Sequence, residues 1–169
     1  LRAGSAPDKG RARQTQVVPL ETQQPLTGIR ILVVDDVAVN RLILEKLLHA
    51  QGASVTTAST GAEAVSLLSD SRGSLFDIVF MDVEMPGLSG RQATSEIREC
   101  GLDIPIVGVS AHVSAEARQA SIAAGMTDQL VKPVMTEALV DKVLRHARER
   151  IAVRSVDSAA EPASAQKTL

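Results

Sequence analysis

The sequence predicts an α/β domain: a doubly wound, five-stranded parallel sheet with five helices. Short apolar, β-branched runs alternate with segments of helical periodicity between residues 29 and 151. Such alternation favours right-handed crossovers and a parallel sheet, and the continuous apolar character of the strands indicates burial on both faces. Several runs also end in a polar residue, which is where open parallel sheets build their sites.

The first two strands are predicted at residues 29–34 and 54–58. Between them, Val39, Ile43 and Leu47 occur at i, i+4 and i+8. This spacing predicts an apolar stripe along the first helix.

The second and third helices begin at patterns typical of helix N-termini. Thr60 and Glu63 fit a capping box, as do Ser89 and Gln92. The third strand, residues 76–81, lies between these two helices.

The remaining strands are predicted at residues 106–109 and 129–131. Ser114 can cap the fourth helix and Thr136 the fifth, along which apolar residues continue at helical spacing to Ile151. Because a doubly wound sheet binds ligands where its strand order reverses, we expect the first and third strands to lie side by side.

Two segments without apolar periodicity flank the predicted domain of residues 29–151. Residues 1–28 are predicted to be a linker or disordered tail, and residues 152–169 a disordered C-terminal tail. The chain starts at Leu1 and shows no signal-peptide pattern, so we expect it to be a piece of a longer protein.

The composition argues against several classes of protein. The formal net charge is −2 and the only aromatic residues are Phe76 and Phe80, so neither a basic surface nor stacking rings are available for nucleic acid. No apolar run approaches the ~20 residues of a membrane helix. With one cysteine, Cys100, an intrachain disulfide is impossible. We expect a cytoplasmic domain without nucleic-acid or membrane contact, which leaves open a membrane anchor elsewhere in the parent chain.

Five polar residues at strand ends are expected to meet at one edge of the sheet: Asp35, Asp36, Asp82, Ser110 and Lys132. Three carboxylates in one place repel each other, and a bound divalent cation relieves that repulsion. Mg²⁺ suits such a site, because it is bound by one or two carboxylates together with phosphate oxygens. A hydroxyl and a lysine can hold phosphoryl oxygens, and a carboxylate can attack phosphorus to give an aspartyl phosphate.

The segment 29–151 resembles a response-regulator receiver domain. The resemblance is carried by Val33-Val34-Asp35-Asp36, Met81-Asp82 with Met85-Pro86-Gly87 and Gly90, Val109-Ser110-Ala111, and Lys132-Pro133. It implies a flavodoxin-like sheet of order 2-1-3-4-5. It also implies that the domain accepts a phosphoryl group from a phosphohistidine, borne by a kinase or a phosphotransfer domain, and that it can pass the group to a downstream histidine phosphotransfer protein.

The resemblance assigns a role to each metal-site residue. Asp82 matches the phosphoacceptor. Asp36 and Asp82 match carboxylate ligands of Mg²⁺, Asp35 acts through water, and Glu84 offers its backbone carbonyl.

The remaining site residues contact the phosphoryl group or its surroundings. Ser110 matches the switch hydroxyl, and Lys132 matches the lysine that pairs with the phosphoryl group, with a cis bond to Pro133. Glu84 and His112 occupy positions that tune the lifetime of the phosphorylated state.

The finer resemblance is to receivers fused to hybrid sensor histidine kinases. Its carriers are Asn40-Arg41-Leu42-Ile43-Leu44 and Ala123-Ala124-Gly125-Met126. On this interpretation the fragment is not itself a kinase, although it catalyses its own phosphorylation and dephosphorylation, and its parent chain is a hybrid histidine kinase.

One position departs from the family pattern. The family usually has Tyr or Phe three positions before the lysine, where this chain has Gln129. An amide cannot report phosphorylation by swinging an aromatic ring inward, so we expect a phosphate relay or docking module whose readout differs from the usual switch.

Two other functions fit parts of the pattern. A pseudo-receiver would be an interaction module with altered switching, which agrees with Gln129 but not with the intact Asp36, Asp82, Ser110 and Lys132. A Mg²⁺-dependent aspartyl-phosphate phosphohydrolase would use an acid two residues after the nucleophile, where Glu84 lies, but no substrate pocket or cap domain is evident in so short a chain.

Overall fold

The strand order of the sheet is β2-β1-β3-β4-β5, and every neighbouring pair of strands is parallel. The computed structural model describes residues 24–112 and 114–159, and within them each strand is followed by one helix. The predicted doubly wound sheet with five helices is therefore confirmed, including the adjacency of β1 and β3.

The strands of the described chain are short and lie close to their predicted positions. They are β1 (Arg30–Val34), β2 (Ser54–Ala58), β3 (Ile78–Asp82), β4 (Ile106–Ser110) and β5 (Asp128–Val131). The helices are α1 (Ala38–Ala50), α2 (Gly61–Asp70), α3 (Gly90–Glu99), α4 (Ala115–Ala123) and α5 (Thr136–Ala159).

Alternate residues of the strands point to opposite faces of the sheet and contribute to two apolar layers, one on each face. On one face, Val33 and Phe80 pack with Leu48 of α1 and Leu139 of α5. On the other, side chains of β1, β3 and β4 pack with those of α2 and α3. Central strands buried on both faces hold the carboxyl edge of the sheet rigidly, which fixes the residues at the strand ends.

The three helix starts expected between β2 and β5 are confirmed. Thr60 Oγ1 accepts a hydrogen bond from Glu63 N at 3.1 Å, and Ser114 Oγ accepts one from Ala117 N at 3.0 Å. At α3 both halves of the capping box are formed around Ser89. These bonds satisfy donors that a helix leaves free at its first turn.

The predicted apolar stripe of α1 does not mark its buried face. Leu44 and Leu48 are buried, whereas Val39 and Ile43 are 57% and 51% exposed. Leu47 is only partly buried. The helix therefore has two apolar faces, and only one of them packs on the sheet.

Packed structure is also found on either side of residues 29–151. Leu26, inside the predicted linker, is 0% exposed and packs in the core. At the other end α5 continues past Ile151 to Ala159, and Arg154 in this part of the helix binds Asp77 and the Gly28 carbonyl. The rest of both predicted tails, residues 1–23 and 160–169, lies outside the described residues. Within the described ranges, no helix combines the length and apolar character needed to cross a bilayer.

Candidate metal centre and active site

Three carboxylates meet at the carboxyl edge of the sheet. Asp35 and Asp36 directly follow β1, and Asp82 is the last residue of β3, the strand that pairs with β1. One oxygen from each of the three lies within 4.8 Å of the others. The predicted cluster is therefore present in the structure.

The cluster is largely withdrawn from water. Asp35 and Asp82 are only 1% and 5% exposed, while Asp36 is exposed. Burial raises the pKa of Asp82, and the charges of Asp35 and Asp36 raise it further, although Glu84 N and Lys132 partly compensate. A buried acid whose neighbours disfavour its charge is a good ligand for a small oxygen-seeking cation, so the donor set fits Mg²⁺.

Lys132 reaches this cluster from β5. Its Nζ lies 3.3 Å from Asp35 Oδ2 and 3.5 Å from Asp82 Oδ1. The Lys132–Pro133 bond is cis, as the resemblance implies. One ammonium against three carboxylates leaves the site anionic, with a cationic donor beside Asp82.

Ser110 and His112 belong to β4 and the loop after it, and β4 lies between β3, which carries Asp82, and β5. Ser110 ends β4, immediately after Val109, which is in register with Asp82. Its hydroxyl, in a side chain 5% exposed, donates to His112 O and accepts from His112 N, both at 3.1 Å. The Ser110 hydroxyl is therefore held by the backbone of the loop after β4. This loop lies at the edge of the sheet where the acids meet.

The loop after Asp82 depends on close approach of two backbone segments. Gly90 N donates to Val83 O at 3.0 Å, and a Cβ at Gly90 would overlap the carbonyl oxygen of Asp82. Within this loop Glu84 N donates to Asp82 Oδ1 at 3.2 Å, while Glu84 itself is exposed. The turn thus holds the Asp82 carboxylate through the Glu84 backbone and leaves Glu84 exposed to solvent.

Comparison with known proteins agrees with this geometry. The family model for the response regulator receiver domain matches residues 31–144. This chain belongs to the response-regulator receiver family.

The relatives of this receiver domain include hybrid sensor kinases. The sensor histidine kinase GacS of Pseudomonas protegens is 36% identical over 140 residues, which are 80% of this chain and 14% of that protein. RcsC of Salmonella typhi is 42% identical over 109 residues, 64% of this chain and 11% of that protein. The chain therefore spans only a small part of the relatives it matches, and the matched parts are their receiver regions.

A solved receiver structure gives the same fold. The receiver domain of sensor histidine kinase PA1611 from Pseudomonas aeruginosa is 34% identical, with a TM-score of 0.64, over 72% of this chain and 98% of that one. That structure has a magnesium ion coordinated in its active-site cleft.

Gln129 lies on β5 of this receiver, in register with Gly108 of β4, and is partly buried. Met126 occupies the space above Gly108, where a Cβ would lie 2.6 Å from the Met126 sulfur. The position that carries an aromatic ring in the family pattern is thus held by an amide, on the strand next to Gly108.

Two residues outside the predicted set contact the site. Arg41 Nη1 donates to the Asp35 carbonyl at 2.7 Å, and Asn40 Nδ2 lies 3.4 Å from Asp35 Oδ1. In the sequence, both belong to the segment that carries the finer resemblance. Their place near the start of α1, a few residues after the acidic pair, brings their backbone close to Asp35, but the contacts themselves depend on side-chain conformation.

Proposed function

We propose that this receiver accepts a phosphoryl group from a phosphohistidine onto Asp82, with Mg²⁺ bound, as part of a hybrid sensor histidine kinase. The observation that carries the proposal is the convergence of Asp35, Asp36 and Asp82 within 4.8 Å, with Lys132 Nζ 3.5 Å from Asp82 Oδ1. A buried carboxylate beside a cation-binding pair and an ammonium suits nucleophilic attack on a phosphoryl group.

Four residues would hold the metal. Asp36 and Asp82 supply carboxylate oxygens, Asp35 acts through water, and Glu84 supplies its backbone carbonyl. Bound Mg²⁺ would neutralise charge on the transferring phosphoryl oxygens. The raised pKa of Asp82 supports this assignment, because a cation relieves the burial and repulsion that raise it.

In the transfer step, an oxygen of Asp82 attacks phosphorus and forms the acyl phosphate. The phosphorus–nitrogen bond of the donor breaks, and its electron pair returns to the imidazole, which then takes up a proton. Lys132 and Ser110 bind the phosphoryl oxygens, and for Ser110 this means exchanging its bonds to His112. Positioning and electrostatic stabilisation supply most of the rate in such transfers.

Hydrolysis of the acyl phosphate needs water in line with the phosphorus. Glu84 and His112 are both exposed, one in the loop after β3 and the other in the loop after β4. We assign them the role of tuning the lifetime of the phosphorylated state by limiting the approach of water.

An apolar surface on α1 adjoins the site and suits a protein partner. Val39, Leu42 and Ile43 are 57%, 49% and 51% exposed. Next to them, a cavity of about 460 Å³ is lined by Asp35 and Lys132 as well as by apolar side chains. We assign this surface to a phosphohistidine-bearing kinase or phosphotransfer domain, because a partner bound there lies beside Asp82. A cytoplasmic location is part of the same proposal.

Phosphoryl uptake tests the proposal directly. The wild-type domain, incubated with acetyl phosphate or a phosphohistidine donor and Mg²⁺, should gain one phosphoryl mass, read by intact mass spectrometry. Asp82→Asn should gain none and keep its fold, whereas Asp70→Asn, at an exposed acid of α2, should behave as wild type.

Two other results would redirect the assignment. Phosphoryl uptake at another residue in Asp82→Asn would overturn the role of Asp82. Failure of the wild type to take up phosphate would favour the pseudo-receiver, and steady turnover of generic phosphomonoesters would favour a phosphohydrolase.

A further inference from the structure

We propose that Arg41 and Asn40 of α1 are positioning residues for the metal site, acting through Asp35. The inference rests on the proposed Mg²⁺ site and assigns to α1 a part in building it. Arg41 contacts the main-chain carbonyl of Asp35 and Asn40 contacts Asp35 Oδ1, so their effect is on the placement of Asp35.

Asp35 is held at every polar atom. Its carbonyl accepts from Arg41 Nη1 at 2.7 Å, and its N donates to Ala58 O at 3.2 Å. Oδ1 accepts from Val37 N at 2.8 Å and from Asn40 Nδ2 at 3.4 Å. Oδ2 faces Lys132 Nζ at 3.3 Å. The two carboxylate oxygens therefore have different partners. Oδ1 binds residues at the start of α1, and Oδ2 faces Lys132 in the site.

The start of α1 depends on this arrangement. Val37, the residue before the helix, makes no side-chain capping bond among the described contacts, and the first turn of α1 contains no acid. The Asp35 carboxylate instead accepts from Val37 N, so the residue before the helix is tied directly to the metal-site acid, and a negative charge lies at the helix N-terminus, where it is favourable.

The charge of Arg41 is placed where it does not compete with a cation. Its guanidinium binds the main-chain carbonyl of Asp35 in a short, charge-assisted bond and leaves the carboxylate oxygens to other partners. An arginine paired with the carboxylate itself would neutralise a ligand charge. The observed geometry fixes the backbone of Asp35 while preserving the anionic character of the site.

Calorimetric titration of the intact chain with MgCl₂ tests the inference without using phosphorylation. Arg41→Ala should weaken Mg²⁺ binding by about tenfold, the scale on which residues that orient metal ligands act. Arg41→Lys, which keeps a cationic donor, should recover part of the affinity, and Asn40→Ala should lose less than Arg41→Ala because its contact is longer. Arg145→Ala, at a 60%-exposed arginine of α5, is the matched control and should bind as wild type.

A second measurement separates positioning from general damage. The initial rate of phosphoryl uptake by Arg41→Ala should fall at low Mg²⁺ and return toward the wild-type rate at saturating Mg²⁺. Unchanged Mg²⁺ affinity in a cooperatively folded Arg41→Ala, or in Arg41→Lys should the alanine variant not fold, would overturn the inference. If the wild type binds Mg²⁺ but takes up no phosphate, the proposed function fails and the calorimetric comparison still decides the role of Arg41.

Discussion

Asp82 carries an unfavourable charge when no cation is bound. Its side chain is buried, and burial together with Asp35 and Asp36 raises its pKa. A carboxyl whose folded-state pKa is raised lowers folding stability above that pKa, and the penalty disappears as the pH falls through it. The fold thus places the residue proposed to react where its ionised form is disfavoured unless a cation is bound.

Asp82→Asn should therefore stabilise the domain at neutral pH in the absence of Mg²⁺. We expect a gain of about 1 kcal/mol, the size of a partly screened repulsion between charges a few ångströms apart, reduced by the loss of the Lys132 contact. Urea unfolding with and without MgCl₂ measures it. Mg²⁺ should stabilise the wild type clearly and the variant only weakly; a variant less stable than wild type without Mg²⁺ would contradict this account.

At the scale of elements, α4 is held mainly by polar contacts. Ser121 is its only buried residue among those described, and Ile122 is 49% exposed. Arg91 of α3 donates to Ser121 Oγ and to the Ala117 carbonyl, both at 3.1 Å. An element with so little apolar burial depends on these bonds for its position.

Arg91→Ala should loosen α4 selectively. Amide hydrogen exchange in α4 should speed up by roughly tenfold or more, the effect of losing one or two bonds worth about 1.5 kcal/mol in a locally opening segment. Exchange in β1 and β3 should stay unchanged. Equal acceleration throughout the domain would show that Arg91 stabilises the whole fold.

Gln129 determines how we expect β4, α4 and β5 to respond to phosphorylation. Because an amide replaces the aromatic ring of the family pattern, binding of a phosphoryl mimic should leave β4, α4 and β5 close to their starting positions. Structures with and without beryllofluoride and Mg²⁺ measure this, and large repacking of that region would contradict it.

A charged cluster joins β5 to α5. Asp128 Oδ2 accepts from Lys142 Nζ at 2.7 Å and lies 2.9 Å from His146 Nε2. Burial alone would raise the pKa of Asp128, but the bonds from Lys142, His146 and the Gln129 backbone outweigh it and lower the pKa to about 2.

This shift predicts a pH-dependent contribution to stability. The contribution is present above the ordinary Asp pKa of 3.8 and is lost as the pH falls toward about 2. Asp128→Asn should lower the unfolding free energy by about 2 kcal/mol at neutral pH, and the difference from wild type should shrink in acid. Asp141→Asn, at a 57%-exposed acid of α5, should show no such pH-dependent difference.

The sequence predicted the positions of strands and helices better than it predicted which face of a helix is buried. Strand ends were predictable because each apolar run stops at a polar residue such as Asp82 or Ser110. The buried face of α1 was not, because two apolar stripes share that helix and periodicity cannot tell which one meets the sheet. The site acids were predictable from parallel topology alone, whereas the Arg41 contact depends on a side-chain conformation that no pattern specifies.

At the scale of the whole molecule, hydrogen bonds and an ion pair connect the two ends of the described chain. Arg154 Nη1 lies 2.8 and 2.9 Å from the two oxygens of Asp77, and its Nη2 donates to the Gly28 carbonyl at 3.0 Å. Arg30 also pairs with Asp77, which is 2% exposed. The sequence could not predict this extension of α5, because Arg154 and Asp77 are 77 residues apart.

Arg154→Ala should therefore destabilise the domain by about 2 kcal/mol, since it removes charge-assisted bonds from a buried carboxylate. Chemical unfolding measures the loss, and Arg148→Ala, at an exposed arginine of the same helix, is the control. Loss of α5 helicity without a change in global stability would show that the contact orders the helix end only.

The Arg154–Gly28 contact lies at the amino ends of the strands, opposite the acids. Because the Arg154 side chain reaches the Gly28 carbonyl, the backbones at residues 28 and 154 are separated by about the length of one arginine side chain, so they can be joined by a short linker and new termini opened in an exposed loop. The domain is therefore suited to circular permutation, and to insertion as a cassette into the surface loop of another protein with its acidic edge facing outward.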